Sequence, residues 1–327
     1  MEKPILKIEN LTTGYEVYDG FLKVLNGINL EVYPGEKVGL VGETGCGKTT
    51  TMKAVMQILP EPTGKITGGS IYFKGQDLLK LGEKELYQLR KQKLSAIFQN
   101  PSAALNPVFT IGQQLRAAIK YSSAQDLSKD EIQQRAVKIL SDVALPDPER
   151  LLANYPIQLS GGMRQRICIA LALATSSKLL IADEPGTNLD VTIQDQILKL
   201  LMDLVKERKT ATIYITHSLG VVREWMDRVY VMYAGNIIEM APTKELFNNP
   251  LHPYTRGLMK AVPKLSGGGI AKGIAGRVPE YLHPPSGCRF HPRCAYCQDL
   301  CRQEKPELLA TGNGHLVACY HRGEFNE

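Results

Sequence analysis

Apolar and polar positions in "ILKIENLTTGY" exchange at nearly every second residue, which predicts a strand with one face turned inward. "INLEVYPGEKVGLVG" repeats the alternation on both sides of a Pro34-Gly35 turn and predicts two more strands. Residues 47–58, "GKTTTMKAVMQI", shift to helical spacing directly after a glycine-rich loop, and "GGSIYFKGQDL" returns to a strand pattern. From about 100 to 160 helices and loops take over. Then "RQRICIALALA" predicts a helix, "KLLIADE" a buried strand, "IQDQILKLLMDLVKER" an amphipathic helix and "ATIYITH" a strand. Fully apolar strands alternating with helices argue for an α/β fold with a parallel sheet covered on both faces. After about residue 261 the pattern breaks: "SGGGIAKGIAGRVPEYLHPPSG" is rich in glycine and proline and reads as a linker.

Composition narrows the class. The 327 residues are 43% hydrophobic and 22% charged, enough for a large core and a smaller second part. The most apolar run, "ICIALALA", is too short to span a bilayer, and "MEKPILKIENL" lacks a signal-peptide pattern, so a membrane role is expected to come through a partner. The net charge of +6 is scattered; its densest group, "LRKQKL", is interleaved with apolar residues and reads as a solvated face. No nucleic-acid partner is expected. Of the seven cysteines, Cys46 and Cys168 stand alone. Cys288, Cys294, Cys297, Cys301 and Cys319 bunch near the end, which in a reducing cytoplasm suggests a metal site.

Three stretches carry chemistry. "GETGCGKTT", from Gly42 through Glu43, Thr44, Gly45, Cys46, Gly47, Lys48 and Thr49 to Thr50, fits the phosphate-loop spacing. Glycines let backbone N–H groups curl around phosphate oxygens, and the following helix N-terminus adds positive potential. Lys48 is expected to reach the β- and γ-phosphates, and Thr49 to offer its hydroxyl to magnesium. Cys46, beside Lys48 and a helix start, is expected to be an activated thiol. "LLIADE" ends a buried strand in two carboxylates at the sheet edge where ligands bind; Asp183 is expected to hold magnesium and Glu184 to polarise the attacking water. "LSGGMRQR" opens a helix with Ser160, Gly161 and Gly162, a second anion-binding start that makes sense if it caps a nucleotide held by another subunit.

These motifs together resemble the nucleotide-binding subunits of ATP-binding cassette (ABC) transporters over about residues 5–240, with Met163 where glutamine is commonest. The resemblance implies an ATPase with a RecA-like parallel core, an antiparallel β subdomain and a helical subdomain at about 100–160. It implies that Gln99 in "AIFQNP" links magnesium and water to the helical region. Asp190 in "GTNLD" then lies in the loop between two sites, His217 in "IYITHS" contacts the γ-phosphate, and Tyr15 in "LTTGY" stacks on adenine. Gly186 and Ser218 depart from the common threonine and aspartate, without removing Glu184 or His217. ABC proteins of DNA repair, of translation and of iron–sulfur assembly are disfavoured, in turn, by the absence of heptads, by the single cassette and by the cysteine tail.

Further on, "YAGNIIEMAPTKELFNNPLHPYTRGLMKAVPKL" and "IAGRVPEYLHPPSGCRFHPRC" resemble the extension of dipeptide, oligopeptide and nickel importer ATPases. His252 in "HPYT" reads as a packed turn. The resemblance implies ATP and Mg2+ as ligands and a homologous ATPase partner in a heterodimer or homodimer. It further implies two membrane-spanning permease subunits, an extracytoplasmic substrate-binding protein acting indirectly, and a place at the cytoplasmic face of the membrane. It divides the chain into an ATPase domain at 1–240, an extension and linker at 241–286 and a cysteine-rich tail at 287–327. The recurring positions resemble Cys288, Cys294, Cys301 and Cys319, with Cys297 extra, and imply a [4Fe–4S] cluster; zinc is the alternative.

Overall fold

The computed structural model describes residues 2–123, 125–175, 177–187, 189–261 and 273–322. In chain order the strands are β1 (Leu6–Val17), β2 (Gly20–Val32), β3 (Lys37–Val41), β4 (Gly64–Phe73), β5 (Gln76–Asp77) and β6 (Leu94–Ile97). They continue as β7 (Leu179–Asp183), β8 (Ala211–Thr216), β9 (Arg228–Tyr233), β10 (Asn236–Pro242), β11 (Leu309–Gly312) and β12 (His315–Val317). The chain divides into two units, one built from Met1–Val32, Lys37–Leu79 and Ile215–Glu327, the other from Tyr33–Glu36 and Lys80–Tyr214.

In the first unit, β2-β1-β4-β5 form an antiparallel sheet. Leu6 and Ile8 point inward two residues apart, but the next inward residue is Leu11, three further on. The extra residue is taken up by a register shift at Glu9-Asn10, where Asn10 adopts φ 48°, a conformation asparagine tolerates. A second run of strands has the order β11-β12-β10-β9-β3, with β3 parallel to β9. The parallel step places the end of β3, and so the glycine-rich loop after it, beside the end of β9.

The C-terminal segment does not stand apart as a separate tail. β12 pairs with β10, Glu239 opposite Val317 and Met240 opposite Leu316. The buried Glu239 carboxylate accepts the backbone N–H groups of Leu251 (2.6 Å) and His252 (2.9 Å) and meets His315 Nε2 at 2.8 Å. Phe290, 3% exposed, inserts its ring among Tyr233 (5.0 Å), Tyr254 (5.5 Å) and His252 (5.6 Å). A segment too poor in apolar residues to build a core thus borrows one. Residues 273–286 hold no helix or strand, yet they pack: Lys23 N–H donates to the Tyr281 carbonyl at 3.1 Å. The reading as a linker is corrected for these residues; 262–272 lie outside the described residues.

The second unit joins β6 and β7 in parallel, Leu94 beside Leu179 through Ile97 beside Ala182. Every β7 residue is buried, as a strand covered on both faces requires. Helices surround this core and are capped where the sequence offers oxygen acceptors. Thr110 caps Ile111–Ser122, Ser128 caps Lys129–Asp142 and Ser160 caps Gly161–Ala174. The cap at Ser128 is a full capping box with Glu131.

Phe290→Ala is expected to destabilise the first unit by about 3–5 kcal/mol, the cost of emptying an aromatic core position. A lower denaturant midpoint, with early proteolysis of the C-terminal segment, checks it.

Candidate active site

β3 runs into the glycine-rich loop, and the helix Lys48–Met56 starts at its end. Gly47, the residue before the helix, has φ 109°, and a Cβ there would meet Leu25 Cδ2 at 2.9 Å. Only glycine fits that turn. Lys48 is 5% exposed, and its ammonium donates to the carbonyls of Gly42 (2.7 Å) and Glu43 (3.0 Å). A buried cation whose hydrogen bonds go to neutral carbonyls suits an anion as its missing counter-charge. Thr44, Gly45 and Thr49 lie exposed around it. Tyr15, on β1, meets Thr50 Oγ1 with its hydroxyl at 3.1 Å, which places its ring beside the first turn of that helix.

The expectation for the Cys46 thiol is corrected. Cys46 is 1% exposed, and burial raises its thiol above the ordinary value; Lys48, with Nζ 3.8 Å from Sγ, pulls the other way but less. Its carbonyl accepts from Gly235 N–H at 2.8 Å.

Three side chains that the sequence analysis does not assign to the site reach this loop from the C-terminal segment. Tyr254 Oη accepts the Glu43 backbone N–H at 2.9 Å. Tyr281 donates its hydroxyl to the Gly45 carbonyl at 2.7 Å. Arg293 grips the Glu43 carboxylate with both terminal nitrogens, at 2.8 and 3.1 Å. His252 is no ligand: its Nδ1 accepts from Tyr254 N–H at 3.0 Å, capping the helix Pro253–Lys260. Burial lowers its pKa to about 4, so its ring is neutral at physiological pH.

In the second unit, Asp183 ends β7 at 4% exposure. Glu184 follows with φ 44°, a left-handed conformation costing a glutamate on the order of 1 kcal/mol. Its Oε2 accepts from Gln99 Nε2 at 3.2 Å and from Thr187 Oγ1 at 3.2 Å. Gln99 and Glu184 are therefore brought together, with Thr187 as an unforeseen third member; its signal is a hydroxyl three residues on, across a tight Pro-Gly turn. Gly186 has φ 121°, which explains why glycine stands there in place of a branched residue. Ser160 Oγ accepts Met163 N–H at 3.3 Å, and Gly161 and Gly162 form the first turn behind it. Asp190 Oδ1 accepts Ile193 N–H at 3.0 Å, capping the helix Val191–Arg208. In the first unit, His217 directly follows β8 and is exposed.

The C-terminal thiols gather in the first unit. Burial pushes Cys288 up to about 12 and Cys294 up to about 11; nearby Cys301 and Cys319 add to both. Cys288 N–H donates to the Cys301 carbonyl at 2.8 Å. Cys297 donates to the Gln298 carbonyl at 3.6 Å. Among the described residues no group of three or more His, Cys, Asp or Glu side chains is arranged to hold a metal ion.

Comparison with known proteins gives consistent matches. Residues 25–187 match the ABC transporter family, and residues 238–301 match the oligopeptide/dipeptide transporter C-terminal region. The chain is 44% identical over 322 residues to a probable peptide ABC transporter ATP-binding protein, y4tR, of Sinorhizobium fredii, covering 98% of this chain and 96% of that one. It is 42% identical over 321 residues to the dipeptide transport ATP-binding protein DppD of Bacillus subtilis, covering 98% and 95%. The dimeric ATP-binding cassette MJ0796, in a post-hydrolysis state with ADP and Pi, superposes with a TM-score of 0.66 at 27% identity, over 73% of this chain and 98% of that one. The cbiO1 protein of Clostridium perfringens, part of the ABC transporter complex cbiONQ, gives 0.64 at 31% identity, over 76% and 92%.

In the folded protein Cys46 is expected to resist maleimide, with or without ATP, and to react only in denaturant. Mass-mapped alkylation across pH checks this, with the half-buried Cys297 as the internal reference.

Proposed function

The chain belongs to the ABC transporter family of ATP-binding proteins, and from that premise we propose that it hydrolyses ATP to power import of dipeptides and oligopeptides. The observation that carries this reading is the joint presence of a cassette and a C-terminal region matched to peptide transporters. That match favours peptides over nickel. Among the described residues no helix is long and apolar enough to cross a membrane. In this reading two permease subunits supply the path and the chain acts at the cytoplasmic face. A homologous ATPase subunit completes the pair, and an extracytoplasmic binding protein delivers the substrate. Uptake of labelled dipeptide, oligopeptide and nickel by cells with and without the chain tests the assignment: nickel uptake alone depending on it overturns the peptide reading.

The residues divide the work as follows. Lys48 neutralises the β- and γ-phosphates while backbone N–H groups of the loop and of the helix start after it cradle them. Tyr15 lies against the adenine. Thr49, Gln99 and Asp183 hold magnesium, which when bound neutralises charge on the phosphoryl oxygens. Glu184, oriented by Gln99 and Thr187, takes the proton of the attacking water, and His217 contacts the γ-phosphate. Ser160, Gly161 and Gly162 cap the nucleotide of the partner subunit, and Asp190 lies in the loop between the sites. Residues 1–240 form the ATPase domain, 241–286 the extension and 287–327 the cysteine-rich part.

Cys288, Cys294, Cys301 and Cys319 hold a [4Fe–4S] cluster in this reading, with a structural role. The gathering of these thiols in one segment, with Cys288 N–H on the Cys301 carbonyl at 2.8 Å, supports it. Zinc, which takes four thiolates around one ion, is the alternative occupant of the same thiols. The cluster, when bound, keeps its thiolates deprotonated and crosslinks the segment.

Glu184→Gln is expected to keep ATP binding and to lower turnover by roughly 10²–10⁴-fold, the usual worth of a general base. Near-normal hydrolysis would remove Glu184 from that role. Anaerobically purified protein is expected to be brown with about four irons per chain, to lose them in Cys288→Ser and to keep them in Cys297→Ser. Colourless protein holding one zinc refutes the cluster.

A further inference from the structure

The phosphate loop is gripped from outside by the C-terminal segment, and the grip is concentrated on Glu43. Its backbone carbonyl receives the Lys48 ammonium at 3.0 Å. Its backbone N–H is bound by Tyr254 Oη. Its carboxylate is held by two nitrogens of Arg293, whose side chain is 4% exposed against 27% for Glu43. Arg293 is itself fixed on every side. Its Nε donates to the Ala275 carbonyl at 2.8 Å, its second terminal nitrogen to the Ile274 carbonyl at 2.9 Å, and its plane lies over the Tyr233 ring at 5.6 Å. Two residues further along the loop, the Gly45 carbonyl is held by Tyr281.

We propose that Arg293 is a positioning residue for nucleotide binding, acting through Glu43 on Lys48 and assisted by Tyr281. Charge and geometry both require such a residue. Glu43 puts a carboxylate one residue after Gly42, in a loop that must receive a highly anionic triphosphate. A free carboxylate there repels the ligand and draws on the Lys48 ammonium, which sits against the same residue's carbonyl. Arg293 cancels that charge with a bidentate pair, the geometry that fixes direction as well as charge. It also immobilises the residue whose carbonyl anchors Lys48. The C-terminal extension thereby becomes part of what sets ATP affinity. This role rests on the ATPase reading and not on the cluster, although Arg293 adjoins Cys294.

The experiment is a double-mutant cycle on the full-length chain. Equilibrium binding of MgATP gives Kd, and steady-state hydrolysis separates KM from kcat. Arg293→Gln is expected to weaken ATP binding about tenfold and to raise KM more than it lowers kcat. Adding Glu43→Gln to Arg293→Gln is expected to restore most of the affinity, because the unpaired carboxylate is then gone. Arg293→Lys, which keeps the charge but loses the bidentate fit, falls between. A purely structural staple would lower the melting temperature without this charge-specific rescue. Iron content is measured in the same preparations. The proposal is overturned if Arg293→Gln leaves Kd unchanged, if the double variant binds no better than the single one, or if weakened binding appears only in samples that have lost iron. Should Arg293→Gln not fold, Tyr281→Phe removes only one hydroxyl from the same grip. A few-fold weaker Kd is then expected, and an unchanged Kd counts against the proposal.

Discussion

A loop that offers backbone N–H groups to an anion has few of them left for holding itself in shape. Its conformation must be secured by its other atoms, and the first unit arranges itself to do that. Gly42 and Glu43 give their carbonyls to Lys48, Gly45 gives its own to Tyr281, and Cys46 gives its own to Gly235 N–H. At the loop's entry Tyr254 takes the Glu43 N–H. These partners come from the helix after the loop, the turn after β9 and the C-terminal segment. The same constraint explains why that segment is drawn in. Phe290, packed against Tyr233 and Tyr254, brings Arg293 and Tyr281 to the loop from a part of the sequence with no core of its own.

Much of the fold and of the site is legible in the amino-acid sequence. Period-two runs locate β1 to β4, and continuous apolar runs locate β7 and β8. The phosphate loop, the acidic strand end and the capped glycine pair can be read because each is a local pattern with a local cause. β6 escapes because it is four residues long and follows a basic helix end; β11 and β12 escape because they are only four and three residues long. Cys46 shows the limit of reasoning from neighbours in sequence. Lys48 and a helix start lower a thiol's pKa only if the thiol faces them from a wet environment, and this one is folded under the loop. The grip of Arg293 on Glu43, 250 residues apart, has no local signature at all. It depends on β9 lying beside β3 and on where Phe290 anchors the segment.

The two neighbouring carboxylates show how the backbone, more than residue type, separates roles. Asp183 is the last residue of a strand buried on both faces, and its side chain shares that enclosure. Glu184 is the first residue out of the strand, and its left-handed backbone turns the chain at once. Its half-buried carboxylate accepts from the Gln99 amide and the Thr187 hydroxyl. Both donors are directional and fix the orientation of the carboxylate. The Glu43 carboxylate is held by the Arg293 guanidinium, which grips both of its oxygens. A sequence records both as glutamates beside a glycine or a proline. The fold brings them different partners: Glu184 receives an amide and a hydroxyl from its own unit, and Glu43 a guanidinium from 250 residues along the chain.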